Sequence, residues 1–146
     1  MANYKIRQFK TSIDKWIDDV ENGLVDIVEI FGGKVQEALV NGSPVDTGRF
    51  KANWQVTANS VPMHALNQYD KDGKKTITEG KRALYAIMRG GAAVRSIHFS
   101  NMLIYANALE YGHSAQAPSG VVGVVSARLG ILMGEAIRES RRKNAL

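Results

Sequence analysis

The sequence predicts an α+β fold: a small, mostly antiparallel sheet flanked by a long N-terminal helix, short middle helices and a C-terminal helix. Three patterns carry that expectation. Apolar residues between Ile13 and Leu39 recur every three or four positions, the period of a half-buried helix. Ala52, Trp54, Val56 and Ala58 alternate with Asn53, Gln55, Thr57 and Asn59, as in a strand with one covered face. Residues 121–125, Val-Val-Gly-Val-Val, form a β-branched run typical of a buried strand.

The first helix presents Ile13, Trp16, Ile17, Val20, Leu24, Ile27, Val28, Phe31, Val35 and Leu39 as one stripe. Gly23, Gly32 and Gly33 weaken it, each by up to ~1 kcal/mol relative to alanine, and a bend is expected near Gly32. Asn41-Gly42-Ser43-Pro44 ends it, because proline disfavours helix in the residue before it and glycine suits the terminus. A strand is expected over 51–61, then a turn at Asp70-Lys71-Asp72-Gly73. Thr76-Ile77-Thr78-Glu79 has capping-box spacing, with Thr76 as the expected cap of a helix that turns Leu84, Ile87 and Met88 inward and stops at Gly90-Gly91.

A second strand is expected over 94–99, with Ile97 and Phe99 on one face and His98 on the other. Residues 103–111 read as a short helix in which Tyr105 and Leu109 stack at i, i+4, closed by Gly112. After the loop 113–120 and the valine strand, Ser126 is the expected cap of a last helix with Leu129, Leu132, Met133, Ala136 and Ile137 inward. Residues 138–146 read as a basic flexible tail. The expected order is α-β-α-β-α-β-α in a single domain, 1–146.

A chain of 146 residues can bury enough surface for one core without staples. It has no cysteine, which excludes disulfide scaffolds, thiolate zinc sites and cysteine nucleophiles. Hydrophobic residues at 45% and charged residues at 23% exclude a disordered chain. No uncharged apolar run approaches the ~20 residues of a membrane span, and the first residues lack the apolar core of a secretion signal. The expectation is a soluble protein of a reducing compartment, or of a particle assembled in one, with no membrane partner.

The net charge of +5 is unevenly placed. Residues 10–40 carry seven acids against three lysines, net −4; residues 71–95 carry seven bases against two acids, net +5; residues 126–146 carry five against two, net +3. Such a chain can dock copies of itself by complementary faces or turn a basic face to a polyanion. Arg138, Arg141, Arg142 and Lys143 crowd one end, the candidates for a DNA-facing or ring-facing surface. Aromatics are not interleaved with them as base-stacking platforms would be, so a basic nucleic-acid-binding module is a weaker alternative.

Val45-Asp46-Thr47-Gly48 has the pattern of an aspartic-protease loop, where two aspartates share a proton and activate water. A retropepsin-like dimer using Asp46 is the runner-up reading. Its context is wrong: a long helix and Asn-Gly-Ser-Pro precede it instead of a buried strand, and charged Arg49 comes next. The preferred reading is structural, with Asp46 making an Asx-type turn, Gly48 taking a conformation closed to other residues and Arg49 launching the strand. Asp70, Asp72, Gly73 and Glu79 fall at calcium-loop positions, but Gln68 stands first and Lys74 and Lys75 crowd the middle. His64, His98 and His113 have no ligand spacing. Glu110 lies near enough to His113 in sequence to make an acid–base pair in principle, but no nucleophile is evident and ordinary surface or interface roles are expected. No metal, no cofactor and no enzymatic activity are expected.

Three stretches together resemble the minor tail component family of tailed bacteriophages: the head–tail joining, neck or tail-completion proteins. They are Ser43-Pro44-Val45-Asp46-Thr47-Gly48-Arg49-Phe50 with Asn53-Trp54; Tyr105-Ala106 with Leu109-Glu110-Tyr111-Gly112-His113-Ser114; and Gln116-Ala117-Pro118-Ser119-Gly120-Val121-Val122. The resemblance implies a structural virion protein at the head–tail junction, a commonly six-fold ring between a connector or head-closure protein and the tail tube or terminator, with DNA passing through. On that reading the signature residues are architectural. Asp46 and Gly48 set the turn between helix and sheet, Trp54 fills the core, Tyr105, Leu109 and Tyr111 seat the short helix, and Glu110 and Gly112 shape the turn after it.

Overall fold

The computed structural model describes residues 2–144, and the side chains of residues 10–143. It is a mixed helical and sheet fold organised along one helix, α1 (Ala2–Asn41). The other elements are α2 (Arg49–Ala52), β1 (Trp54–Ala58), α3 (Lys74–Arg89), β2 (Ile97–Asn101), α4 (Ala106–Glu110), α5 (Val122–Ser126) and α6 (Leu129–Asn144). Among the described residues no helix is long and apolar enough to cross a membrane.

Helices α3 and α6 both run antiparallel to α1 and cover its C-terminal half. Lys81 pairs with Glu37, and Arg89, two turns further along α3, with Asp26 and Glu29. Lys34 holds Glu135 and Glu139 of α6, while Ser140 donates to the carbonyl of Gly23. Gly32 permits the close crossing of α1 and α3, since a Cβ there would lie 2.8 Å from Leu84 Cδ2. The bend expected at Gly32 does not interrupt the helix; the glycine serves packing.

Strands β1 and β2 pair antiparallel, with Val56 opposite Phe99 and Trp54 opposite Asn101. The core gathers Val35, Leu39 and Val40 of α1 with Phe50, Trp54, Leu103, Ala117, Val121, Val125 and Leu132. Phe99 and Leu109 pack on its edge.

Several expectations are corrected. Residues 51–61 do not make one strand: 49–52 form the helical turn α2 and pairing begins at Trp54. Residues 121–125 are not a third strand. Val121 and Val125 are buried four residues apart, and Val122 and Val124 are half exposed, which is a helical face pattern that a short β-branched run conceals. Ser126 ends α5 and caps nothing; α6 begins at Leu129, itself exposed. Thr76 lies inside α3, whose N-cap is Gly73; Asp70 does the capping by accepting from the backbone N–H of Gly73 and of Thr76 and from Thr76 Oγ1. The expected flexible end is helical through Asn144; residues 145–146 lie outside the described residues. The stripe of α1 is only half covered. Val35 and Leu39 are buried, but Ile13, Trp16, Ile17, Val20, Leu24 and Val28 are exposed.

Candidate assembly site

The turn after α1 is locked from both ends. Ser43 Oγ donates to the carbonyl of Leu39 at 2.7 Å, so the serine closes the helix that its own backbone leaves. The same Oγ accepts from the Trp54 indole N–H at 2.7 Å. Buried Asn53 donates to the Arg49 carbonyl and accepts from the Leu66 N–H, tying α2 to the long loop before α3. Phe50 meets Trp54 edge-on at 5.8 Å and lies 6.3 Å from the Tyr105 ring.

Gly48 has φ +86°, and its carbonyl accepts from the N–H groups of Ala52 and Asp70. A Cβ would come within 2.6 Å of the Lys71 nitrogen, so both backbone conformation and space require glycine. Asp46 does not make the expected Asx turn. Thr47 does the comparable work, its Oγ1 accepting from the Arg49 N–H at 3.3 Å, while the Asp46 side chain is exposed with no hydrogen bond among the described residues. Arg49 launches the helical turn α2, and not a strand.

The second and third stretches meet this turn directly. Gln116 acts as a backbone mimic across 71 residues: its Oε1 accepts from the Val45 N–H at 2.8 Å and its Nε2 donates to the Val45 carbonyl at 2.9 Å. Glu110 accepts from three successive N–H groups, those of Val121, Val122 and Gly123, at 2.7–3.0 Å. Burial pushes the Glu110 carboxyl up, but the N–H bonds from Gly123, Val121 and Val122 outweigh it and hold the pKa below the ordinary glutamate value. Gly112 and Gly120 are left-handed, with Gly120 seated against the Glu110 carbonyl. Leu109 is half-buried against the core. Tyr105 is partly exposed over Phe50, and Tyr111, expected to seat the helix, is instead 82% exposed. Pro44 is buried in the turn, and Pro118 is exposed on the opposing loop.

Between the two walls lies an open cavity of about 260 Å³, lined by 44–50 on one side and by Tyr105, Leu109, His113, Ser114 and Gln116 on the other. Asp46, His113 and Ser114 all border it, but no hydrogen bond joins these side chains among the described residues. Ser114 Oγ accepts instead from the Gln116 N–H. A proton relay is therefore not assembled here. Arg49 also lines the cavity, and its Nε is buried without a hydrogen-bond partner among the described residues.

The suspected calcium loop is committed to helix capping: both Asp70 oxygens receive bonds, and Asp72 accepts from the Lys74 N–H. No group of three or more His, Asp or Glu is placed to hold a metal among the described residues. Part of the charge asymmetry is neutralised within the chain. The hydrogen bond to Glu139 is the main cause that raises the Lys34 pKa, and the same bond lowers that of Glu139. Arg138, Arg141 and Arg142 remain exposed on α6, while Lys143 reaches Asp26 at 3.7 Å.

Gln116 and Ser43 fall within the resembling stretches, yet the Gln116–Val45 and Trp54–Ser43 bonds are tertiary contacts that no local pattern encodes. No family model, curated protein or solved structure matches this chain.

Proposed function

We propose that this chain is a structural subunit that assembles into a ring at the head–tail junction of a tailed bacteriophage, joining the connector to the tail tube and letting DNA pass. The observation that carries the reading is the convergence of the three resembling stretches. They lie up to 71 residues apart, yet they share one cavity and the Gln116–Val45 bond pair. Their side chains are spent on backbone positioning: Ser43, Thr47, Glu110 and Gln116 all bind main-chain groups. That is how a surface is given a fixed shape for recognition. The aspartic-protease loop follows a buried strand, whereas Asp46 follows the long helix α1 on a turn.

The test is native mass measurement with electron microscopy of the purified full chain. The expected result is a closed ring, six subunits on the family precedent, with a central channel. A dimer that hydrolyses peptides, or a chain that stays monomeric at every concentration, overturns it.

A further inference from the structure

We propose that the first half of α1 is an intersubunit arm, whose apolar stripe lies on the basic outer face of α6 in a second copy of this chain. The inference rests on the self-assembling subunit argued above. It adds which surfaces meet.

Length sets up the arm. At 1.5 Å per residue α1 is about 60 Å long, whereas α3 and α6, 16 residues each, cover only about 24 Å of it. Ser140 ties α6 to the carbonyl of Gly23, and every described side chain from 10 to 22 is exposed. Within that overhang Trp16 is 66% exposed and Ile13, Ile17 and Val20 lie between 39% and 41%, and Leu24, just past Gly23, is 58% exposed. Together they leave several hundred square ångströms of apolar surface bare, at the upper end for a soluble monomer.

The stripe has the spacing of a helix-pairing seam. Ile13, Ile17, Val20, Leu24, Ile27 and Phe31 advance alternately by four and three residues. Its flanks name the occupant. Residues 10–22 carry four acids against two lysines, and Asp14 and Glu21 stand beside the seam. Two such arms packed antiparallel would bring these acids against one another, with only Lys10 and Lys15 to offset four carboxylates. DNA and anionic lipid are repelled for the same reason. The occupant must offer apolar groups bordered by cations.

Helix α6 offers that surface. Leu132, Ala136 and Ser140 face α1, which turns Ile131, Arg138 and Arg142, spaced seven and four apart, outward as one stripe; Glu135 falls in the same row, but its carboxylate is paired with Lys34 of α1. Ile131 is 59% exposed, and Arg128 lies one turn before it beside half-exposed Val124 in the groove between α1 and α5. Arm and receiving face are different surfaces, so the contact can repeat head-to-tail from copy to copy, and such a contact closes into a ring when its rotation divides a full turn.

The experiment is sedimentation and native mass measurement of the full chain and its variants over a range of concentrations. Trp16→Glu is expected to weaken assembly at least tenfold while leaving the circular-dichroism melting temperature of the subunit unchanged. Asp14→Lys with Glu21→Lys, and separately Arg138→Glu with Arg142→Glu, should each dissociate the assembly, and the combined four-fold variant should restore it. If the wild type assembles and Trp16→Glu assembles equally well, the arm is wrong and the ring reading stands. If the charge-reversed pairs fail to rescue each other, the α6 face is wrong and the proposal falls with it. A wild type that never assembles removes both readings.

Discussion

The Trp54 indole N–H and the Leu39 carbonyl are joined through one atom, Ser43 Oγ, which accepts from the first and donates to the second, both at 2.7 Å. The first residue of the sheet is thereby fixed to the last turn of α1. Trp54 is 6% exposed and edge-on to Phe50. Trp54→Ala is expected to cost ~3–5 kcal/mol through the cavity it leaves. Trp54→Phe keeps most of the packing and loses the hydrogen bond, for about 1–2 kcal/mol. Urea unfolding of the three proteins checks both, and an unchanged midpoint for the alanine variant would remove Trp54 from the core.

Glu110 makes stability depend on acid. Its folded-state pKa lies below the unfolded value of about 4.3, so its contribution is complete above that pH and is lost as pH falls through the folded value. Asp70 behaves in the same sense: burial raises its pKa, and the bonds from Thr76 and Gly73 more than offset this. Glu110→Gln is expected to cost about 1–2 kcal/mol at neutral pH, a figure already discounted for partial exposure, and to flatten the stability profile below pH 4.3. Equal melting temperatures of wild type and variant at pH 7 would mean that the three N–H bonds carry no weight.

Two glycines give opposite outcomes. Gly120 has φ +79° and a Cβ there would run into the Glu110 carbonyl, so Gly120→Ala should destabilise by ~1–3 kcal/mol. Gly130 lies in α6 with nothing within 4 Å of an added Cβ. Gly130→Ala should therefore stabilise by about 0.4–1 kcal/mol. Thermal unfolding of both variants separates the required glycine from the dispensable one.

How much of the fold and the site is legible in the sequence depends on range. The helical period of 13–39, the short helix closed by Gly112 and the turn requiring Gly48 rest on local patterns, and each is present. The stripe of α1 says that one face is apolar but not what covers it, and over 10–22 no described residue does. The valine run looks like a strand because five residues cannot display a helical period; what decides is Glu110, eleven residues before Val121, capping three N–H groups of the run. Thr76 has the right spacing for a cap, yet Asp70 reaches past it with a carboxylate that offers four lone pairs. The pairing of Gln116 with Val45 joins residues 71 apart and has no local signal at all.

Asp46 separates the architectural reading from its chemical rival. The carboxylate is exposed, takes no hydrogen bond among the described residues, and leaves the turn chemistry to Thr47. Asp46→Asn keeps shape and volume and removes one solvated charge, so stability should change by no more than about 0.5 kcal/mol. Assembly state should also be unchanged, because Asp46 only borders the cavity without holding its walls together and belongs to neither the arm nor the α6 face. Thermal unfolding and native mass measurement of the variant check those two expectations, and a peptide-library digest checks the third, that neither protein cleaves. Hydrolysis by the wild type that disappears in a correctly folded Asp46→Asn protein would make the turn a catalytic loop, because an asparagine can replace the aspartate's shape but cannot share its proton.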